Sequence, residues 1–224
     1  MSFKPAPLLL HAIAAGVMAW GYNNLGSLMQ DAWIEKQKGG HSQFLTIQGL
    51  LMALLTMAVS LVLDLAPSFA VLRNVKRVLL MVSLPVAVVV SSIYWTLVLS
   101  MPHMILQANP GTTPPTSSSE APQLMRIPLE MDLALHASPA LSLLADFLLF
   151  EKKYGRNETV YVAPVLAALF GFFYANWVEY LAKFNGSFPY PFLTDNSFEI
   201  RVAIYSGAIT LALVSFWLIN SVHK

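Results

Sequence analysis

Apolar residues in this chain neither alternate nor recur on one helical face; they run on in long blocks separated by short polar segments. The blocks lie at about 7–29, 43–64, 77–101, 129–150, 159–182 and 198–221. A helix needs about 20 apolar residues to cross the hydrocarbon core of a bilayer, and each block has that length. The pattern predicts an all-α, polytopic membrane protein, a single transmembrane domain over 1–224 built as a bundle of about six helices. So little chain is left over that any chemistry has to take place inside the bundle or at its edge. An even number of spans places both termini on one side.

Composition agrees with this class and narrows it. With 56% hydrophobic and 11% charged residues and a mean hydropathy of +0.60, the chain is no soluble domain. Lys4, Arg73, Lys76, Arg77, Lys152, Lys153, Arg156 and Lys224 fall on one side of the predicted bundle, and Lys36, Lys38, Arg126, Lys183 and Arg201 on the other. The richer side is expected to be cytoplasmic, with both termini. Nothing resembles a mitochondrial presequence, which leaves the endoplasmic reticulum or the plasma membrane. The first block runs through Trp20-Gly21-Tyr22 to Leu28-Met29, too long for a cleaved signal, and reads as a retained first helix. Asn185-Gly186-Ser187 would then face the exterior as a glycan acceptor, and Asn157-Glu158-Thr159 the cytosol.

A net charge of +1 without a polybasic tail predicts no nucleic-acid partner. The absence of cysteine excludes disulfides, palmitoylation, thiolate catalysis and cysteine-ligated metals. His11, His41, His103, His136 and His223 are scattered over different segments, with no paired metal-ligand spacing, so neither metal nor cofactor is expected. Oligomeric state is not legible. The one long connection, 102–128, contains Asn109-Pro110-Gly111 and Pro114-Pro115-Thr116-Ser117 and reads as a mobile loop over the fourth helix.

Within the blocks one ionisable residue stands out. His136 lies inside the fourth, in Leu133-Ala134-Leu135-His136-Ala137-Ser138, and an ionisable side chain at membrane depth is costly and is commonly kept for function. Asp132 precedes it by four residues and shares its helix face. A carboxylate on one ring nitrogen fixes the tautomer and frees the other nitrogen to take a proton. The alternative is a histidine that glues helices together beside a solvated carboxylate. A base needs a nucleophile, and Thr46 lies at similar depth early in the second block, within roughly one helical turn of His136 at 1.5 Å per residue. Many threonines in such helices only bond back to a carbonyl one turn earlier, and that reading stands beside the nucleophilic one. Glu179, near the end of the fifth block, has Lys183 as its default partner.

These residues bring a resemblance into view. Gly39-Gly40 with Phe44-Leu45-Thr46, Leu84-Pro85-Val86 with Tyr94-Trp95, His136, and Gly186-Ser187-Phe188-Pro189-Tyr190-Pro191-Phe192-Leu193 keep the order and character of motifs in another group of proteins. In them the chain resembles the androgen-induced and androgen-dependent TFPI-regulating protein family, transmembrane hydrolases of fatty acid esters of hydroxy fatty acids, as a divergent, non-vertebrate member. The resemblance implies that Thr46 is the nucleophile and His136 its base, acting through an acyl-threonine that water cleaves. It implies a lipid ester as substrate, with no cofactor. Candidate oxyanion donors are Ser42, Gln43 and Gln48, and candidate substrate contacts are Tyr94, Trp95, Trp177 and Tyr190, aromatic residues that also suit packing or the membrane interface.

The chain departs from the family where Leu133 and Asp132 replace a histidine and the asparagine before it, which offers Asp132 an orienting role. Ala137-Ser138-Pro139 stands where vertebrate members have hydroxyl residues, implying a reshaped pocket and a shifted acyl-chain preference. Two rivals use the same residues differently. A transporter would relay protons or bind cargo through His136, Asp132 and Glu179, although no inverted repeat is visible. A scaffold would use Thr46 and His136 only for packing.

Overall fold

The computed structural model describes residues 5–107 and 124–223. Most of the segment expected to form a mobile loop, 108–123, lies outside them, as do Lys4 and Lys224 of the charge bias. The described chain is helical, with α1 (Pro5–Asn23), a short α2 (Asp31–Ile34), α3 (Leu45–Leu65), α4 (Ala70–Ser100), α5 (Leu129–His136), α6 (Ser138–Phe150), α7 (Ala163–Asn185), a short α8 (Pro191–Thr194) and α9 (Phe198–Val222). Five helices are long and apolar enough to span: α1, α3, α4, α7 with the π-turn Glu158–Val162 that leads into it, and α9. The pair α5 and α6, bent by 41°, is apolar and long enough only when taken together, as a broken span or a re-entrant loop, which makes five or six crossings among the described residues.

α4 runs through the middle and touches α3, α5, α6, α7 and α9, while α1 closes the side formed by α3, α5 and α6. The core between them is apolar, centred on Met18, Leu50, Met57, Leu84, Leu143 and Phe147. Large side chains such as Leu9, Leu169, Phe172 and Leu218 face outward. In a bilayer that is the expected surface, since lipid tails are as apolar as the core.

Boundaries differ from the hydropathy reading where polar groups find partners. α1 stops at Asn23, six residues short of the block, because Asn24 folds its side-chain amide back onto the Trp20 carbonyl (2.8 Å) and a 3₁₀ turn follows. α4 starts seven residues early. Its first turns carry Lys76 and Arg77, which bond to Asp146, Glu151 and Glu158 across the bundle and so remain helical despite their charge. The fourth block is not one rod: Pro139 has no amide to give the Leu135 carbonyl, and the helix breaks at Ala137.

Two connections set the end of the bundle where α3 begins. Gly39 has φ +90°, and a Cβ there would lie 2.5 Å from Leu181 Cδ1, so both the conformation and the space require glycine. Asn185, at the end of α7, accepts the Lys38 amide (2.8 Å) and donates to the Lys38 carbonyl (3.1 Å). The residue read as a glycan acceptor thus clasps the α2–α3 connection to α7.

Candidate active site

Thr46 is the second residue of α3, delivered there by the Gly39-Gly40 turn and the extended Phe44. Its hydroxyl does not follow the usual back-bonding pattern. Thr56, Ser60, Ser92 and Ser142 each donate to the carbonyl four residues earlier. The corresponding acceptor for Thr46, the Ser42 carbonyl, is taken by Gln48 Nε2 (2.8 Å) and Trp177 Nε1 (3.3 Å). The Thr46 hydroxyl turns to the bundle interior instead, where Oγ1 lies 3.4 Å from His136 Nε2.

His136 is the last residue of α5, directly before the Pro139 break, so its ring projects where the helix stops. Nδ1 donates to Asp132 Oδ1 at 2.7 Å. With a carboxylate on Nδ1, Nε2 carries the lone pair that faces Thr46. Tyr94 stacks flat on the imidazole, centroids 3.4 Å apart and planes 1° off parallel, which leaves the ring one orientation. The Tyr94 hydroxyl lies beside the Asp132 carboxylate just outside hydrogen-bond geometry. Thr46 (9% exposed), His136 (5%) and Tyr94 (5%) are buried, so the chain carboxylate, imidazole, hydroxyl is shielded from solvent.

Two cavities meet at this chain. The larger, about 340 Å³, is almost wholly apolar and lies between α4, α7 and α9. Its α4 wall runs from Met81 to Leu97, about 24 Å of helix at 1.5 Å per residue. The smaller, about 90 Å³, is bounded by His136, Leu28, Trp33, Met125 and their neighbours. Thr46, Tyr94, Ile105 and Tyr190 line both and form the wall between them. A group held at Thr46 therefore has apolar space on either side.

Tyr190, in the segment between α7 and α8, packs edge-on against Phe44 (5.7 Å, 85°) and parallel to Phe192 (5.3 Å, 7°). Its phenol oxygen neighbours the Thr46 hydroxyl, the Tyr174 hydroxyl and the amides of Leu45 and Thr46, the first of α3. Burial holds the phenol above its ordinary range and outweighs those hydrogen bonds, so the hydroxyl keeps its proton.

The remaining candidates sit elsewhere. Ser42 Oγ donates to Gly39 O (2.6 Å), Gln43 Nε2 to Gln37 Oε1 (2.6 Å) and Gln48 Nε2 to Ser42 O, and none of the three lines either cavity. Trp177 braces the α2–α3 connection from outside the cavities, and Trp95 packs edge-on behind Tyr94 (5.4 Å). Glu179 pairs not with Lys183 but with Arg201 of α9, at 2.7 and 2.9 Å, and accepts Tyr205 Oη at 3.0 Å. A sequence pattern cannot show a partner on another helix, and the planar guanidinium satisfies both carboxylate oxygens as a lysine on the same helix would not. No cluster of three or more metal-ligating side chains occurs among the described residues.

Comparison with known proteins finds similar membrane proteins. A UPF0641 membrane protein of Schizosaccharomyces pombe is 26% identical over 219 residues, covering 96% of this chain and 89% of its own length. Another, from Saccharomyces cerevisiae, is 25% identical over 227 residues, covering 94% and 88%. No solved structure matches the chain. The model of the FAR-17a/AIG1-like protein family matches residues 6–224, and the chain belongs to that family.

Proposed function

We propose that this integral membrane protein is an intramembrane ester hydrolase, with Thr46 as nucleophile, His136 as base and Asp132 as the group that orients it. The observation that carries the reading is the run from Asp132 through His136 to Thr46, which ends on the wall shared by two apolar cavities. A simple packing role for Thr46 would leave its hydroxyl on its own backbone, and it is not there.

In the proposed reaction His136 Nε2 takes the Thr46 proton as Oγ1 attacks the ester carbonyl. Collapse of the tetrahedral intermediate expels the alcohol, which receives the proton from His136, and leaves an acyl-threonine. Water, activated by the same nitrogen, then releases the acid. The Oγ1–Nε2 distance of 3.4 Å is long for proton transfer and has to shorten as the ester binds. An ester at Thr46 would place one apolar arm in the long cavity and the other in the small one. That division suits a lipid ester with two chains, and the resemblance carried by the sequence motifs implies fatty acid esters of hydroxy fatty acids. A transporter would lean on Glu179, which Arg201 and Tyr205 already engage. We further infer that both termini are cytoplasmic, from the positive residues at the end opposite Thr46.

Labelling of the purified protein in detergent with a fluorophosphonate tests the reading. Wild type should label, Thr46→Ala should not, and a branched fatty acid ester should compete. Well-folded wild type that neither labels nor releases fatty acid from such an ester would sink the hydrolase assignment.

A further inference from the structure

Attack by Thr46 on an ester moves a full negative charge onto the former carbonyl oxygen, and in an apolar cavity that charge requires hydrogen-bond donors. Ser42, Gln43 and Gln48, the side-chain donors nearest in sequence, are engaged elsewhere and line neither cavity. Tyr94, one polar group on the shared wall, lies over His136 with its hydroxyl beside Asp132, on the side of the base. Tyr174, Asn196 and Tyr205 line the large cavity, but Tyr174 donates to the Gln43 carbonyl (3.3 Å), Tyr205 to Glu179 and Asn196 Nδ2 to the Phe192 carbonyl (2.7 Å).

Tyr190 differs from all of these. Its hydroxyl neighbours the Thr46 hydroxyl, the first amides of α3 and the Tyr174 hydroxyl, and with Thr46 it lines both cavities, so its single proton can be directed at a group held there. Phe44 and Phe192 fix the ring, so the donor is in place before the charge develops.

Building on the hydrolase reading, we propose that Tyr190 is a catalytic residue of this site, the donor that binds the oxyanion formed at Thr46. As the bond from Oγ1 to the carbonyl carbon forms, the carbonyl π pair moves to oxygen and accepts a hydrogen bond from Tyr190 Oη. The phenol proton is not transferred. On collapse the pair returns, the bond to the alcohol oxygen breaks, and the hydrogen bond slackens until deacylation rebuilds it. The proton traffic stays with His136 throughout. The first amides of α3, which neighbour the Tyr190 oxygen, bring the positive end of that helix to the same point.

The test is Tyr190→Phe in the full-length protein in detergent, assayed with a fatty acid ester of a hydroxy fatty acid. Loss of one oxyanion donor costs on the order of 10²–10³-fold in kcat, with KM little changed. Two inhibitors with the substrate's chains separate this role from packing. A trifluoromethyl ketone, which Thr46 converts to a tetrahedral adduct, should lose affinity in step with kcat/KM, and the ether analogue of the substrate should bind as before. Unimpaired kcat, or equal loss of both inhibitors, overturns the assignment. Should Tyr190→Phe not fold, fluorotyrosine at position 190 keeps the shape and strengthens the donor, and a kcat that does not change with fluorination overturns it equally. Wild type without turnover would instead bring down the hydrolase reading itself.

Discussion

At the scale of single residues, the decisive feature is what Thr46 and His136 do not do. A threonine in the first turn of an apolar helix would ordinarily satisfy its hydroxyl locally, and a buried histidine would bond a neighbouring carbonyl. Here Gln48 and Trp177 occupy the Ser42 carbonyl and Asp132 occupies Nδ1, so hydroxyl and imidazole are left to each other. Asp132 then acts through His136. In Asp132→Asn the amide is able to donate to Nδ1 and push the ring proton to Nε2, the tautomer that cannot act as a base. We expect kcat to fall about 10²- to 10⁴-fold, with fluorophosphonate labelling slowed in parallel and melting temperature close to wild type. Labelling at the wild-type rate would remove Asp132 from the mechanism. The Asp132–His136 pair was legible from an i, i+4 spacing because both partners lie on one helix. The fate of Ser42, Gln43 and Gln48 was not, because it depends on the turn around Gly39 and on α7, and the Arg201 partner of Glu179 was hidden for the same reason.

At the scale of elements, the sequence shows where spans exist far better than how they end. Apolar length located the long helices, since the bilayer imposes that length, and of the six expected crossings five are single helices and the other is the bent α5–α6 pair. Hydropathy is blind to a charge that finds its partner on another helix, so it shortened α4. It is blind also to a proline between apolar neighbours, so it fused α5 with α6. That break is useful, because it ends α5 at His136 and brings the ring to the edge of the cavity. The turn before α3 works alongside it. Gly39 and Gly40 both have positive φ, but only at Gly39 does a Cβ meet another helix, at Leu181; at Gly40 nothing lies within 4 Å. Gly40→Ala should therefore cost about 1 kcal/mol, the ordinary penalty for alanine in the left-handed region. Gly39→Ala adds a clash and should cost more, in the range of about 1–3 kcal/mol. Because the clash pushes the turn away from α7, activity per folded molecule should drop for Gly39→Ala alone. Equal effects in thermal unfolding and in turnover would mean that the turn does not set the position of Thr46.

At the scale of the whole molecule, the two ends of the bundle have different work. Opposite Thr46, His11 of α1 is held between Asp64 of α3 (2.6 Å) and Asp146 of α6 (2.8 Å), and Lys76 of α4 bonds Asp146 and Glu151, each at 2.9 Å. Arg77 continues the chain to Glu158, and Tyr154 donates to the Arg77 carbonyl (2.8 Å). With a carboxylate at each ring nitrogen, His11 joins three helices. None of these residues lines either cavity, and charges this deep are tolerable only as a complete set. Asp146, fully buried, would keep Lys76 alone in His11→Phe, while its second oxygen has no partner even in the intact protein. Breaking a buried ion pair from one side costs about 3–5 kcal/mol, and that loss should appear as a lower melting temperature in detergent. The folded fraction should still label at Thr46 at the wild-type rate, because the cluster reaches the site only through helix packing. The mirror image holds for Thr46→Ala, which should silence labelling and leave the melting temperature nearly unchanged. A His11→Phe protein as stable as wild type, or one that is folded but does not label, would show that stability and chemistry are not divided between the two ends in this way.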